Sequence, residues 1–222
     1  VRLIDPALAD TMAEAVLTWC LYLHRNMHRY HQHQRQQQWQ PHRYVPASAR
    51  TVTMLGLGEL GRTAALRLIQ QGFQVNGWSR TEKSIEGVHC FYGDDSLDSL
   101  LAKADIVVCL LPLTKSTTGL LNDKRLATLK PTTHLINFAR GPIIDDTALL
   151  NALNSARLEH AVLDVFAQEP LPVDHPFWNH PKVSVLPHIS AQTRADTASV
   201  IVAKNIQQFN IEDENGKTQK FV

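Results

Sequence analysis

The feature that most constrains how this chain folds is a glycine-rich segment between a β-rich run and a helical pattern. The segment reads Gly56-Leu57-Gly58-Glu59-Leu60-Gly61, and the run TVTML at 51–55 comes directly before it. The pattern G-x-G-x-x-G in this context is typical of the turn that joins a strand to a helix in a dinucleotide-binding βαβ unit. Glycines permit the tight turn, the approach of a pyrophosphate and close helix packing, and the free N–H groups of the helix favour an anion. These residues are therefore the first candidates for contact with a cofactor.

Apolar runs and helical patterns alternate along the rest of the chain. Strands are predicted at 51–55, 73–79, 88–92, 105–111, 133–139, 159–165 and 182–186, and helices at 59–71, 97–104, 121–129 and 145–156. The run DIVVCLL at 105–111 is almost entirely apolar, which is typical of a strand buried on both faces. The alternation predicts an α/β fold, in which helices flank a doubly wound parallel sheet of the Rossmann type.

Two further helices are predicted outside this alternation, each with one apolar face. One covers about 7–30 and the other 193–210, where Ala198, Val202, Ile206 and Phe209 share a face. A Gln- and His-rich stretch at 32–40 and the prolines Pro41 and Pro46 follow the first helix, so a domain boundary is predicted near residue 46. Each apolar face is expected to need a surface outside the sheet domain to cover it.

Composition excludes several functional classes. The formal net charge is +1, with 44% hydrophobic and 19% charged residues, which gives no support for a nucleic-acid or membrane partner. The three cysteines, Cys20, Cys90 and Cys109, form no CxxC pair, and such usage is typical of a reducing compartment. No apolar stretch is long enough to span a bilayer. The composition favours a cytoplasmic protein.

The residues after the second predicted strand distinguish between the two nicotinamide cofactors. An NAD site has an acid at this place, whereas the chain has Ser79-Arg80-Thr81-Glu82-Lys83. A hydroxyl and two cations suit a 2′-phosphate, so Ser79, Arg80, Thr81 and Lys83 predict NADP as the preferred cofactor, with NAD possible. The alternative is a solvated loop without a ligand, and the acid Glu82 keeps it open.

Three charged residues follow three separate predicted strands. Arg140 follows the strand at 133–139, Glu169 lies shortly after the strand at 159–165, and His188 follows the strand at 182–186. Because ligands of open parallel sheets bind outside the carboxyl ends of the strands, we expect these side chains to meet in one crevice. A guanidinium there can grip a carboxylate, and an imidazole can transfer a proton. The set predicts reduction of a 2-oxo acid by hydride transfer.

These segments together resemble the D-isomer-specific 2-hydroxyacid dehydrogenase family. The resemblance is carried by GLGELG, NFARG, LDVFAQEPLP and LPHISAQT in that order, and it covers nearly all of residues 7–210. Within the family the chain is most similar to the glyoxylate/hydroxypyruvate reductase A type, through WSRTEKS, QQWQPH and PFWNHPKVSVLPHISA. One departure is Ser190-Ala191, where many members have a glycine.

The resemblance implies a role for each matching residue. His188 is implied to be the general acid, Glu169 its partner, and Arg140 the clamp for the substrate's carboxylate and carbonyl. A carboxylate bonded to an imidazole favours the charged form that carries the proton. The resemblance also places the cofactor along a second group of residues, with Asp164 at the nicotinamide carboxamide: Leu111, Pro112, Phe138, Ala139 and Asp164.

The resemblance further implies a domain organisation. Residues 1–45 are interpreted as a linking and dimerisation helix from a mostly absent N-terminal substrate domain, 46–190 as the dinucleotide-binding domain, and 191–222 as a C-terminal helix that returns toward the substrate domain. The expected partners are a small 2-oxo acid and a second copy of the chain in a homodimer. The 222 residues as written are expected to bind NADPH but to turn over poorly.

Three alternative interpretations stay open. One is another member of the family, of the phosphoglycerate or D-lactate type; Glu169 argues against the formate type, whose histidine is paired with an amide. Another is a dinucleotide-sensing corepressor with the same fold. Finally, His24 and His28 are spaced as zinc ligands on one helical turn, with further histidines nearby, but no acid or cysteine completes the set. No metal site is predicted, and these histidines are interpreted as a solvated polar face.

Overall fold

A seven-stranded, fully parallel sheet forms the centre of the structure, a computed structural model that describes residues 5–214. The strand order is β3-β2-β1-β4-β5-β6-β7, which confirms the predicted doubly wound sheet. The strands are β1 (Thr51–Leu55), β2 (Gln74–Ser79), β3 (His89–Tyr92), β4 (Ile106–Cys109), β5 (His134–Asn137), β6 (His160–Leu163) and β7 (Val183–Val185). Each lies within or at one of the predicted runs.

Within the described residues, seven α-helices accompany the strands. They are α1 (Pro6–His24), α2 (Met27–Arg35), α3 (Glu59–Gln70), α4 (Asp94–Leu101), α5 (Asp123–Leu126), α6 (Asp146–Asn154) and α7 (Ala195–Glu214). The bounds predicted for α4 and α5 were wrong. Helix α4 starts three residues early, because Asp94 and Asp95 suit the positive end of a helix. Helix α5 starts at the side-chain cap of Asn122 and lasts one turn before Pro131.

Both faces of the sheet are buried. In β4, Val107 packs into one hydrophobic cluster while Ile106 and Val108 pack into the other, and all three are at most 1% exposed. Successive side chains of a strand point to opposite faces, so a continuous apolar run can satisfy two helical layers at once. The run DIVVCLL has this property.

The apolar face of α1 is covered within the described fold, so the expectation that it needs an outside surface was wrong. Met12, Val16 and Leu23 pack in the same cluster as Ala64 and Leu68 of α3. Val16 and Leu23 are completely buried. Helix α1 therefore serves as a third layer over α3.

The single helix predicted at 7–30 is broken. Arg25 ends α1, and Asn26 adopts a left-handed conformation with φ of 56° before α2 begins. The turn brings His28 against the rings of His134 and His160, at centroid distances of 5.2 and 4.7 Å. His28 and His24 are both buried, so their interpretation as a solvated polar face was wrong.

Helix α7 leaves its apolar residues largely exposed in the described part of the chain. The exposed side chains are Val200, Val202 and Ile206. Phe209, predicted on the same face, lies outside the described side chains. None of the helices among residues 5–214 is long and apolar enough to cross a membrane.

Candidate active site at the carboxyl ends of the strands

The glycine segment forms a tight turn between β1 and α3. Gly56 has a φ of +107°, and a side chain there would approach the Leu110 carbonyl oxygen to 2.8 Å. A side chain on Gly61 would overlap the carbonyl of Gly56. Gly58 differs, because a Cβ there meets no described atom within 4 Å. Gly58 also lines a cavity, so its open side leaves room for a ligand.

That cavity has a volume of ≈810 Å³ and lies along the carboxyl ends of the strands. Eleven of the predicted site residues line it: Gly58, Glu59, Leu60, Gly61, Leu111, Pro112, Phe138, Ala139, Arg140, Asp164 and His188. Several other wall residues were not predicted from the sequence, among them Leu8 and Met12 of α1. The helical spacing of these two residues predicted only a buried face of α1, but the same face also lines the cavity.

The three charged candidates come from neighbouring strands. Arg140 follows β5, Glu169 follows β6 and His188 follows β7, and these strands are adjacent in the sheet. Neighbouring strands lie about 4.8 Å apart, so residues at the ends of adjacent parallel strands lie close together. The sheet therefore places Arg140, Glu169 and His188 at one edge.

His188 and Glu169 form a close pair. The distance from His188 Nδ1 to Glu169 Oε2 is 2.7 Å, and the Phe166 N–H donates to Glu169 Oε1 at 2.9 Å. Burial raises the pKa of Glu169, but the bonds from His188 and Phe166 and the charge of Arg140 outweigh it, so this pKa lies below its ordinary value. Glu169 is therefore a carboxylate. Because it binds Nδ1 of His188, the other ring nitrogen, Nε2, points away from Glu169.

Asp164 holds the backbone that follows His188. Its Oδ1 accepts from the N–H of Ile189 at 2.8 Å, its Oδ2 accepts from the N–H of Ser190 at 2.9 Å, and its side chain is 2% exposed. His188 itself has a φ of 56°, an uncommon conformation for a residue other than glycine. The two hydrogen bonds stabilise the loop in which this conformation occurs.

Arg140 is exposed and positioned through its neighbours. Its Nη1 donates to the Ala139 carbonyl at 2.6 Å, and the Asn137 side chain donates to the Arg140 carbonyl at 3.1 Å. A side chain on Gly141 would overlap the backbone of Phe166. Asn137 and Gly141 were missed as positioning residues, although both belong to the segment that contains NFARG.

The predicted 2′-phosphate residues lie outside the cavity wall. Ser79 ends β2 and is buried, and its hydroxyl donates to the Thr81 carbonyl at 2.6 Å. Arg80, Thr81 and Lys83 are exposed in the loop that follows. Strand β2 pairs in parallel with β1, with Thr51 opposite Gln74 and Leu55 opposite Trp78. The loop after β2 therefore lies at the same carboxyl edge of the sheet as the glycine turn after β1.

The arrangement fits a dinucleotide. Gly58 precedes α3 without a side-chain cap, so the first amides of the helix have no capping partner among the described residues. The open side of Gly58 admits a phosphate, and Leu111, Pro112 and Phe138 give an apolar wall farther along the cavity. A glycine turn, helix amides and a switch in strand order between β1 and β4 define a nucleotide-binding domain.

Sequence comparison places this domain in a family. The family described as "D-isomer specific 2-hydroxyacid dehydrogenase, NAD binding domain" matches residues 17–190. The chain belongs to the D-isomer-specific 2-hydroxyacid dehydrogenases, as the sequence resemblance predicted.

Individual relatives agree with this assignment. A glyoxylate/hydroxypyruvate reductase A of Yersinia enterocolitica is 40% identical over 207 residues, or 93% of this chain and 66% of the relative. A D-isomer-specific 2-hydroxyacid dehydrogenase of Xanthobacter autotrophicus Py2, solved with NADPH and MES, is 42% identical with a TM-score of 0.92. The match covers 98% of this chain and 88% of that one.

A third relative was solved with NADP and sulfate. It is the NADPH-dependent glyoxylate/hydroxypyruvate reductase of Sinorhizobium meliloti, 34% identical with a TM-score of 0.87. The match covers 99% of this chain and 70% of that one. The chain thus spans about two thirds of the length of the curated relative from Yersinia (66%).

Proposed function

We propose that this chain contributes the cofactor site and the acid–base pair of an NADPH-dependent reductase that converts a small 2-oxo acid, glyoxylate or hydroxypyruvate, into the 2-hydroxy acid. The observation that carries the proposal is the 2.7 Å pair of His188 and Glu169. It lies beside Arg140 at the carboxyl edge of the sheet, and both His188 and Arg140 line the cavity. An anion clamp beside a proton donor is what this reduction requires.

Each residue has a separate role in the reaction. When bound, the reduced nicotinamide supplies a hydride. Arg140 binds the substrate's carboxylate as a planar fork and polarises the carbonyl. His188 donates a proton from Nε2 to the carbonyl oxygen as negative charge develops on it. Glu169 holds the imidazole through Nδ1 and stabilises its protonated form, so that the proton is available at the start of the step.

The NADP preference is proposed from the loop after β2. Arg80 and Lys83 offer two exposed cations at the edge of the sheet where the glycine turn lies. The 2′-phosphate of NADP is a dianionic group that such cations can bind. The acid that an NAD site has at this place is absent directly after Ser79, where Arg80 follows. The complexes of two relatives with NADPH or NADP support the same choice.

A substrate panel tests the proposed activity. Because the 222 residues are expected to turn over poorly by themselves, rates of the full-length protein are measured with glyoxylate, hydroxypyruvate and pyruvate, each with NADPH and with NADH. The proposal predicts turnover of glyoxylate or hydroxypyruvate and a lower KM for NADPH. Cofactor binding without turnover of any 2-oxo acid would contradict it and would favour a dinucleotide sensor. Equal use of both cofactors would contradict only the NADP preference.

Substitution of His188 tests the assignment of the proton donor. His188→Ala should lower kcat by roughly 10²- to 10⁴-fold, the usual contribution of a general acid. The Kd of NADPH, measured by fluorescence titration, should stay unchanged. His31→Ala, an exposed histidine on α2, is the matched control and should keep full turnover. Retained turnover in His188→Ala would overturn the assignment.

The homodimer and the cytoplasmic location remain predictions. We propose the dimer because large apolar side chains are exposed on the described surface, Trp39 and Tyr44 among them. Sedimentation analysis of the protein at several concentrations checks it, and a monomer at every concentration would contradict it.

A further inference from the structure

A second, much smaller cavity lies at the opposite edge of the sheet, where β1 begins. Its volume is ≈60 Å³, and we call it the arginine cavity after Arg25, Arg43 and Arg50, which line it together with His24 and His42. Arg25 follows α1, Arg43 belongs to the segment after α2, and Arg50 precedes β1. None of the described residues that line the cavity is acidic. Cations from three separate segments therefore converge on one small space.

The carboxylate that pairs with Arg50, Asp105, is shared with other donors. Asp105 accepts from the Thr51 N–H at 2.8 Å through Oδ2 and from Lys130 Nζ at 2.7 Å through Oδ1. Arg50 approaches the same Oδ1 only to 3.8 Å, through Nη1. Because Asp105 also pairs with Lys130, one negative charge is shared between two cations, and Arg50 is only partly compensated.

Buried polar atoms around the arginine cavity also lack partners. Arg50 Nε, His24 Nδ1 and His42 Nε2 are buried and make no hydrogen bond within the described part of the chain. His24 is 8% exposed. Burial lowers its pKa, and the charges of Arg50 and Arg25 lower it further. Buried polar groups without partners are rare in folded proteins and commonly point to an ion or water molecule at the site.

We propose that the arginine cavity binds a tetrahedral oxyanion, a phosphate ion or the terminal phosphate of a small monoester. An anion there would satisfy donors that have no acceptor in the protein and would remove the repulsion among Arg25, Arg43 and Arg50. Three arginines from separate segments line the cavity, and guanidinium groups bind phosphate oxygens well. Arg25 lies over the ring of Tyr44 at 5.5 Å, which restricts its guanidinium before a ligand arrives.

The bound anion would link the end of α1 to the segment between α2 and β1. Arg25 stands at the break between α1 and α2, and Arg43 stands in the segment that leads from α2 to β1. Binding should therefore stabilise the described junction around residues 25–50, far from the cavity that contains His188. The proposal is independent of the reductase activity.

Calorimetric titration with inorganic phosphate tests the proposal. The full chain carries Arg80→Gln and Lys83→Gln, which remove the other proposed phosphate-binding cations. The expected result is saturable binding of one phosphate. Arg43→Gln in this background should weaken it about tenfold or more, because one charge-assisted bond is lost. Arg35→Gln, an exposed arginine of α2 outside the cavity, is the matched control and should leave the Kd unchanged.

A competition experiment shows whether the site takes the free phosphate ion or the phosphate of a monoester, and the variants show whether the site exists. Competition by glycerol phosphate would identify a monoester's terminal group as a ligand, and lack of competition would restrict the site to the free ion. Arg43 is exposed, so its substitution leaves the fold intact, and thermal unfolding without phosphate checks this. No saturable binding, or equal binding by the Arg43→Gln and Arg35→Gln proteins, would overturn the proposal.

Discussion

Two imidazoles buried at the amino ends of the strands, those of His134 and His160, should make the fold sensitive to mild acid. His28 of α2 contacts His134 at the start of β5 and His160 at the start of β6. Burial, followed by the repulsion of neighbouring charge, lowers the pKa of His134 to about 4 and that of His160 to about 3, from an ordinary 6.5. Folding therefore keeps two histidines neutral where the unfolded chain protonates them.

The sign and size of the effect follow from proton linkage. Below pH 6.5 the unfolded chain binds more protons than the folded one, so the free energy of unfolding decreases as the pH falls, until the folded-state pKa is reached. From about pH 7.5 to about pH 5, a histidine with these two pKa values loses ~2 kcal/mol of stabilisation. Together, His134 and His160 should account for ~4 kcal/mol. Glu159, with a pKa lowered to about 2 by His28 and Arg29 despite burial, contributes only below its ordinary 4.5.

Urea unfolding at about pH 7.5 and about pH 5 measures this loss in the wild-type protein and in His134→Gln. The variant has one fewer titrating group, so its loss over this window should be smaller by ~2 kcal/mol, whatever its stability at the higher pH. His31→Gln, an exposed histidine of α2, is the control and should lose as much as wild type. An equal loss in wild type and His134→Gln would refute the reasoning.

Four other substitutions follow from the geometry. Gly61→Ala should lower the free energy of unfolding by ~1–3 kcal/mol in denaturant titrations, because the new Cβ overlaps the Gly56 carbonyl. Gly58→Ala should leave stability nearly unchanged and weaken NADPH binding in fluorescence titrations, because its Cβ enters open space; unaltered affinity would argue against a pyrophosphate there. Leu23→Ala should cost ~2–5 kcal/mol in the same denaturant assay, since Leu23 is completely buried, and a negligible loss would contradict packing of α1 on α3. Arg140→Lys should reduce kcat/KM for the 2-oxo acid in steady-state assays, because an ammonium cannot form the planar fork, and unchanged kinetics would contradict that role.

Local sequence patterns predicted the sheet and the edge at which the site lies. The run at 105–111 required burial on both faces, and β4 is buried on both faces. His188 and Arg140 follow strand-like runs, and parallel pairing brings the ends of such runs to one edge. Both features depend on residues close in sequence, together with general rules for parallel sheets, and both were therefore accessible without the structure.

Contacts between distant segments could not be predicted in this way. The burial of His28 depends on the turn at Asn26 and on two strands that begin more than a hundred residues later. Periodicity identified the apolar face of α1 but carried no information that α3 covers it. Asp164 was assigned to the cofactor by resemblance alone, and its bonds to Ile189 and Ser190 depend on a loop twenty-five residues away.

Because His188 follows the short strand β7, its position should be lost at a lower temperature or denaturant concentration than the positions of the other site residues. It has three residues, pairs only with β6 among the described strands, and is only partly buried. Edge elements with few buried contacts open at a lower free energy than the whole fold. When β7 separates from β6, His188 leaves Glu169 while the glycine turn on β1 stays intact. Amide exchange in β7 would then measure the fraction of molecules in which His188 is paired with Glu169, and under mild denaturing conditions that fraction should fall before cofactor binding does.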